Sequence, residues 1–188
     1  MDCGISNKLI PTTVKYILLT HDHGDHFYPQ TVSNYAIKWP DVAFIVPPWL
    51  EDNVKRCGVT HYRLCEMNKW YGLPPNINVR PFQLYHDRPN CGWRIIINGN
   101  KIFHATDTRD LEGLTAKDYD IFALEMNYDE QKIKEVIEKS KQTGEFSHAL
   151  GVPNSHLSVQ QAEAFYYQNR KGTSQLIPLH QSTSEGHL

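Results

Sequence analysis

Apolar and β-branched residues are grouped along the chain in short runs, separated by polar and turn-forming stretches. Runs of about four to eight such residues are typical of buried strands. The strands that this pattern predicts are Val14–Thr20, Val42–Val46, Val79–Tyr85, Ile121–Glu125 and Gln175–Leu179. Two more, Gly92–Ile97 and Lys101–Ala105, flank Asn98-Gly99-Asn100, and an Asn-Gly pair is a strong signal for a hairpin turn.

Other segments follow the helical period instead. Glu130–Lys141 places its apolar residues on one face, which predicts an amphipathic helix. Ser158–Asn169 begins with a serine that is followed three residues later by glutamine, the pattern of a helix capping box. Shorter helices are predicted at Thr31–Lys38 and Trp49–Cys57.

The range 59–78 is rich in turn residues and is predicted to be a loop. Strands come first along the chain, and strands that alternate with helices follow. This order predicts a layered domain of the α/β or α+β class, and a length of 188 residues favours a single domain over residues 1–188.

The bulk composition narrows the class of protein. The apolar fraction is 40% and the charged fraction 21%, which is typical of a globular chain. The net charge of −2 gives the whole molecule no general attraction for nucleic acid. No apolar run approaches the roughly 20 residues that span a membrane, and no signal-peptide pattern is present. We therefore expect a cytoplasmic protein, without a membrane partner, whose four cysteines are reduced.

Residues 21–26 read His-Asp-His-Gly-Asp-His and directly follow the first predicted strand. Imidazole and charged groups at this density cannot all be buried without partners. Neutral imidazole and carboxylate suit zinc, and they also suit manganese and iron. The alternative is a solvent-exposed loop that is incidentally rich in histidine. Three histidines and a carboxylate in one short segment exceed the needs of one ion, so the residues favour two ions that share the segment.

The same segment carries a family resemblance. Leu18–His26 (LLTHDHGDH) resembles the HxHxDH signature of the metallo-β-lactamase superfamily, and Asp2-Cys3-Gly4 is similar to the Asp-Cys-Gly that ends an early strand there. Asp107, in ATDT, resembles the bridging aspartate of that family, and His180, after LIPL, resembles its final histidine ligand. The order and spacing match over nearly the whole chain. The resemblance implies an αββα sandwich.

The third histidine motif of the family has three candidates in this chain. His61 lies in a predicted loop with no strand before it, and His104 lies within a predicted strand. His86 follows a strand and precedes Gly92-Trp93-Arg94-Ile95, which is similar to a pattern in the tRNase Z-like branch. The resemblance therefore favours His86, with His61 and His104 as alternatives.

The resemblance implies a dinuclear metal centre that activates a bridging water. Zinc is the expected metal, with manganese and iron as alternatives. The first ion would be held by His21, His23 and His86, and the second by Asp25, His26 and His180. Asp107 would bridge the two ions.

Further residues bear on the reaction. Asn154-Ser155-His156 is similar to a histidine element of tRNase Z-like phosphodiesterases, in which the histidine contacts the scissile phosphate or acts as general acid. Glu125, at the end of a strand, is expected to orient His156. Arg109, in a run similar to Asp-Thr-Arg of that branch, is expected to bind phosphate in a bidentate manner. With the ligand Asp25, these three residues form the predicted catalytic set.

The predicted reaction is therefore phosphodiester hydrolysis, with a nucleic acid or a cyclic nucleotide as substrate. One alternative keeps the metals but acts on a carbonyl group, as a lactonase or thioesterase does. A second alternative is a metal-binding remnant without activity.

The start of this sequence differs from that of the family that it resembles. Members usually begin with a β-hairpin before the Asp-Cys-Gly segment, whereas this sequence starts at that segment. We therefore expect an N-terminally shortened sandwich or a truncated form of a longer protein. An exposed sheet edge would follow, and a second copy of the chain could cover it in a homodimer.

Overall fold

The structure is a computed structural model that describes residues 1–4, 13–143 and 150–181. The strands in these ranges are β1 Tyr16–Leu18, β2 Ala43–Val46, β3 Tyr62–Leu64, β4 Tyr71–Leu73, β5 Ile77–Leu84, β6 Asn90–Ile97, β7 Asn100–Ala105, β8 Tyr119–Glu125 and β9 Arg170–Leu179. The α-helices are α1 Pro29–Lys38, α2 Glu51–Arg56, α3 Glu130–Thr143 and α4 Val159–Asn169. Short 3₁₀ helices lie at Pro48–Leu50 and Val152–Asn154.

The chain divides into two compact units. The first comprises Met1–Tyr71, Arg80–Gln83 and Arg88–Cys91, and the second comprises Gly72–Val79, Leu84–Asp87 and Gly92–Leu188. The predicted single domain over residues 1–188 stays a prediction.

The first unit contains a parallel sheet with the strand order β1-β2-β3. Its central strand β2 is buried at every position, which explains why it reads as a continuous apolar run rather than an alternating one. Apolar side chains from the strands, α1 and α2 form one core, which includes Leu19, Val32 and Phe44. This core supports the end of β1, where residues 21–26 begin.

The sheet that runs through the second unit has the strand order β4-β5-β6-β7-β8-β9. Strands β6 and β7 are antiparallel and joined at Asn98 and Gly99, whose φ angles are 50° and 86°. These positive angles are what an Asn-Gly hairpin turn requires. Strands β7, β8 and β9 run parallel, so their carboxyl ends lie at the same edge of the sheet.

Helix α4 packs on this sheet through aromatic residues. Phe165 stacks on Phe103 at a centroid distance of 5.1 Å, and Tyr166 meets Phe122 edge-on at 5.4 Å. The helix begins at the predicted capping box, in which the Ser158 hydroxyl accepts a hydrogen bond from the backbone N–H of Gln161. The helix start is therefore fixed by local sequence and its direction by aromatic packing.

Most predicted elements are confirmed within a few residues, and so is the mixed α+β class. The prediction of a loop over residues 59–78 is wrong, because β3 and β4 lie there. Each has only three residues, which is too short to show a hydrophobic period; β3 is mostly exposed, and in β4 only Leu73 is buried. Strand β9 begins at Arg170 rather than at the predicted Gln175. The prediction missed its first residues because they are polar and mostly exposed. Within the described ranges, no helix combines the length and the apolar character needed to cross a bilayer.

Candidate metal centre

The first histidine cluster follows β1 in the first unit. Two backbone hydrogen bonds, from the N–H groups of His26 and Phe27 to the carbonyl of His23, fold the segment into a tight turn. The turn brings the ring of His21 to 4.9 Å from that of His23 and to 4.4 Å from that of His26, measured between centroids. His21 is fully buried, whereas 60% of the Asp25 side chain is exposed. The structure thus gathers the three predicted imidazole ligands of this unit.

Asp2 links this turn to the amino-terminal segment. Its carboxylate accepts hydrogen bonds from the Thr20 backbone N–H at 2.8 Å and from the Thr20 hydroxyl at 3.0 Å. Its Oδ2 also lies 3.0 Å from Nδ1 of His26, and the Thr20 hydroxyl lies 3.0 Å from Nδ1 of His21. Asp2 adopts a positive φ of 53°, a conformation that is uncommon for a non-glycine residue. The Asp2 carboxylate therefore contacts the ring of His26 directly and that of His21 through the Thr20 hydroxyl.

Gly4 lies against the same turn. A Cβ atom at this position would come within 1.5 Å of the Asp25 carbonyl oxygen and 2.5 Å of the His26 nitrogen. Backbone hydrogen bonds on the neighbouring Cys3 hold this close approach. Only glycine fits here, which gives the Asp-Cys-Gly segment a steric reason.

The second cluster lies in the second unit, at the shared edge of the parallel strands. Asp107 follows β7, Glu125 ends β8, and His180 follows β9. His156, which precedes α4, joins them, and one potential ligand atom from each residue lies within 4.8 Å of those of the others. Asp107 and His180 have positive φ angles of 52° and 48°. Such strained backbone is concentrated at functional sites in proteins.

Glu125 is the centre of the second cluster. Its Oε1 lies 2.6 Å from Nδ1 of His156 and 2.9 Å from Nδ1 of His180. Its Oε2 accepts hydrogen bonds from the backbone N–H groups of Thr108 at 2.9 Å and Leu157 at 3.1 Å. The carboxylate is fully buried and both oxygens are occupied. This geometry suits an orienting role better than metal ligation.

His86 belongs to the same neighbourhood. Its Nδ1 lies 2.9 Å from the carbonyl oxygen of Ser155, and its Nε2 lies 3.8 Å from Oδ2 of Asp107. The two alternatives are placed differently: His104 is buried on β7 opposite Trp93, and His61 is exposed in the first unit. The choice of His86 as ligand stays a prediction.

The donor set fits divalent metal ions. Histidines that bind metals generally have the second ring nitrogen engaged by a carboxylate, a carbonyl or a similar group, which fixes the ring and its tautomer. Four predicted ligands have Nδ1 engaged in this way, so that each would bind metal through Nε2; they are His21, His26, His86 and His180. Together with carboxylates, such imidazoles suit zinc, manganese or iron.

Two residues near the second cluster have contacts that the sequence did not indicate. The amide nitrogen of Asn127 donates to the carbonyl oxygen of His180 at 3.2 Å, and Asn127 is 9% exposed. Arg109, predicted to bind phosphate, has its Nε 2.9 Å from Oδ2 of Asp110, and its guanidinium lies 5.3 Å from the ring centroid of Tyr85. The sequence offered only positional hints of these contacts: Asn127 lies two residues after Glu125, and Tyr85 directly precedes His86.

Comparison with known families gives one match over nearly the whole chain. The family model described as a beta-lactamase superfamily domain matches residues 5–181. No curated protein sequence matches the chain significantly.

Solved structures share the fold. Human tRNase Z, short form, is similar with a TM-score of 0.61 and 20% identity, covering 90% of this chain and 73% of that one. Zinc-bound PqqB from Methylobacterium extorquens gives 0.62 and 11% identity, covering 94% and 67%. A diphosphatase of the PhnP family gives 0.62 and 13% identity, covering 92% and 62%. At these identities the likeness shows the fold alone.

Proposed function

Because the chain belongs to the beta-lactamase superfamily, we propose that it is a dinuclear metal-dependent hydrolase that cleaves phosphodiester bonds. The observation that carries this proposal is the contact of the buried Glu125 with both His156 and His180. It joins a candidate proton donor to a predicted metal ligand through one carboxylate. Two of the similar structures are named for the cleavage of tRNA and of a diphosphate, a tRNase Z and a diphosphatase, which supports reaction at phosphorus rather than at a carbonyl group.

The proposed ligands are those that the family resemblance implies. They are His21, His23 and His86 for one ion, Asp25, His26 and His180 for the other, and Asp107 for both. Two divalent ions held there would lower the pKa of a water molecule and stabilise charge on the reacting phosphate. Zinc is the metal we expect. A cytoplasmic location and a homodimer stay predictions.

His156 is proposed as the general acid for the leaving oxygen. Its Nδ1 contacts Glu125 at 2.6 Å, which leaves Nε2 as the ring nitrogen that would give up a proton. The side chain of His156 is 19% exposed, so a substrate can reach the ring. The buried carboxylate would fix the orientation of the ring, as the aspartate of a catalytic triad does.

Arg109 is proposed to bind a non-reacting phosphate oxygen. Its side chain is 56% exposed, and Nε is engaged by Asp110. The two terminal nitrogens of the guanidinium make no contact recorded for the described part of the chain. They offer the forked geometry that matches phosphate.

The test compares leaving groups in a metal-loaded protein. We expect hydrolysis of a dinucleotide and of bis(p-nitrophenyl) phosphate, and none of a lactone, a thioester or a β-lactam. A general acid matters for a poor leaving group and little for p-nitrophenolate. His156→Ala should therefore slow the dinucleotide about 10²–10⁴-fold and leave bis(p-nitrophenyl) phosphate within a few-fold of wild type.

Two results would overturn the assignment. Equal loss on both phosphodiesters in His156→Ala, with metal retained, would remove the proton-transfer role. Hydrolysis of the lactone or thioester without any phosphodiester cleavage would replace the proposed function with a carbonyl hydrolase.

A comparison of His86→Ala with His61→Ala tests the third motif, because only the first should lower metal content.

A further inference from the structure

The surface next to the second cluster presents an aromatic ring beside a cation. We propose that Tyr85 and Arg109 form a recognition element for a nucleotide, in which Tyr85 stacks on the base and Arg109 binds the adjoining phosphate. This inference rests on the proposed phosphodiesterase function and narrows its substrate class to nucleotides.

The two residues are held together by their backbones. The backbone N–H of Arg109 donates to the carbonyl of Tyr85 at 2.9 Å, and the backbone N–H of Tyr85 donates to the hydroxyl of Thr108 at 3.1 Å. Neither hydrogen bond uses the side chain of Tyr85 or Arg109. Both side chains therefore project from a fixed backbone, a condition for binding without a large ordering cost.

The position of this pair ties it to the reacting groups. Tyr85 directly precedes His86, and Arg109 lies two residues after Asp107. His86 Nε2 and Asp107 Oδ2 are 3.8 Å apart. A phosphate bound near these two predicted ligands would have its substituents within reach of the neighbouring side chains.

The chemistry of the exposed atoms favours a planar, anionic ligand. Tyr85 is 49% exposed although it is a large aromatic residue, and its hydroxyl has no contact recorded among the described residues. The guanidinium of Arg109 lies over one face of the ring, 5.3 Å from its centroid, so a base would stack on the opposite face. Aromatic side chains can stack on any nucleobase, and in nucleic-acid-binding sites they are combined with cationic side chains that contact the phosphates. An aliphatic ester would use the cation but not the ring.

The test uses two substrates that differ only in the nucleoside. Thymidine 5′-(p-nitrophenyl phosphate) and methyl p-nitrophenyl phosphate share the phosphodiester and the leaving group, so their ratio of kcat/KM isolates the nucleoside. We expect Tyr85→Leu to lower this ratio about tenfold through KM, in the lower part of the range for base stacking. Tyr85→Phe keeps the ring and should stay within about twofold of wild type. Arg109→Gln should lower kcat/KM for both substrates alike.

Two further measurements separate recognition from structure and from the proposed function. Tyr85→Leu should leave the metal content unchanged and shift the melting temperature by only about 2–4 °C, because the side chain makes no hydrogen bond within the described chain and its cation–π contact with Arg109 is worth about 0.5–1 kcal/mol. Binding of thymidine 5′-monophosphate relative to inorganic phosphate can be measured even if no substrate is cleaved. Loss of that preference in Tyr85→Leu supports the inference. The inference is overturned if Tyr85→Leu prefers thymidine 5′-monophosphate as strongly as the wild type does, or if it loses affinity equally for both ligands. If the wild type shows this preference but hydrolyses no phosphodiester, only the proposed function is overturned.

Discussion

Replacing Glu125 with glutamine changes one atom at the centre of the second cluster. The wild-type carboxylate accepts four hydrogen bonds, two from imidazoles and two from backbone N–H groups. A glutamine has one accepting oxygen and one donating amide group. Two of the four partners must therefore face a donor.

The orientation of the new amide follows from the cost of each arrangement. If the amide nitrogen faced Thr108 and Leu157, two buried backbone N–H groups would lose their acceptor, at about 1–3 kcal/mol each. If it faces His156 and His180, both rings can switch tautomer and accept at Nδ1. The second orientation costs less, and it places a proton on Nε2 of each ring.

The magnitude follows from this orientation. The two backbone hydrogen bonds persist but lose their charged acceptor, which lowers their contribution by about 1 kcal/mol each. Glu125→Gln should therefore reduce the free energy of unfolding of the metal-free protein by about 2 kcal/mol. Metal affinity should fall about 10–100-fold, because Nε2 of His180 would have to lose its proton to bind.

The assay is urea unfolding of protein from which metal has been removed with a chelator, followed by a metal titration of the folded protein. Glu163→Gln, on the exposed side of α4, is the matched control and should change the free energy of unfolding by less than about 0.5 kcal/mol. Unchanged metal affinity in Glu125→Gln would refute the tautomer argument. A loss of stability no larger than that of the control would refute the hydrogen-bond argument.

Further predictions concern the residues around the two clusters. Gly4→Ala should abolish metal binding or prevent folding, since its Cβ would meet the Asp25 carbonyl at 1.5 Å; a variant with wild-type metal content and melting temperature would contradict this. Asn127→Ala should weaken metal binding about tenfold by removing the hydrogen bond that holds His180, whereas an unchanged metal titration would make the asparagine dispensable. Of the four free thiols, only that of Cys57 should react quickly with a disulfide reagent at pH 8, because the other three are buried; rapid reaction of two or more would show that the core opens.

The cysteine prediction has an electrostatic basis. Burial raises the pKa of the Cys3 thiol to about 12 and that of Cys65 to about 11. Burial also raises the pKa of Cys91 well above its ordinary value. These thiols stay protonated at pH 8, and the thiolate is the reactive form.

Features that depend on neighbouring residues were predictable from the sequence. The hairpin at Asn98 and Gly99 follows from backbone angles that these two residues adopt easily. The capping box at Ser158 follows from residues three positions apart. The buried strand β2 shows itself as an apolar run because both of its faces are covered.

Features that depend on contacts across the chain were not predictable in the same way. Glu125 and His180 are 55 positions apart, and only the parallel order of β7, β8 and β9 brings the ends of their strands together. The anchoring of His180 by Asn127 and the steric demand on Gly4 likewise appear only in the folded chain. The resemblance to a family implies a set of candidate site residues, but not these contacts.

In the proposed centre, the chain holds two metal ions, and Asp107 is a ligand of both. The most direct measurement is the number of metal ions per chain retained by the wild type and by Asp107→Asn after saturation and gel filtration. We expect two ions per chain for the wild type and fewer than one for the variant, with both proteins folded. A folded wild type that retains no metal, or a variant that retains two ions, would contradict it.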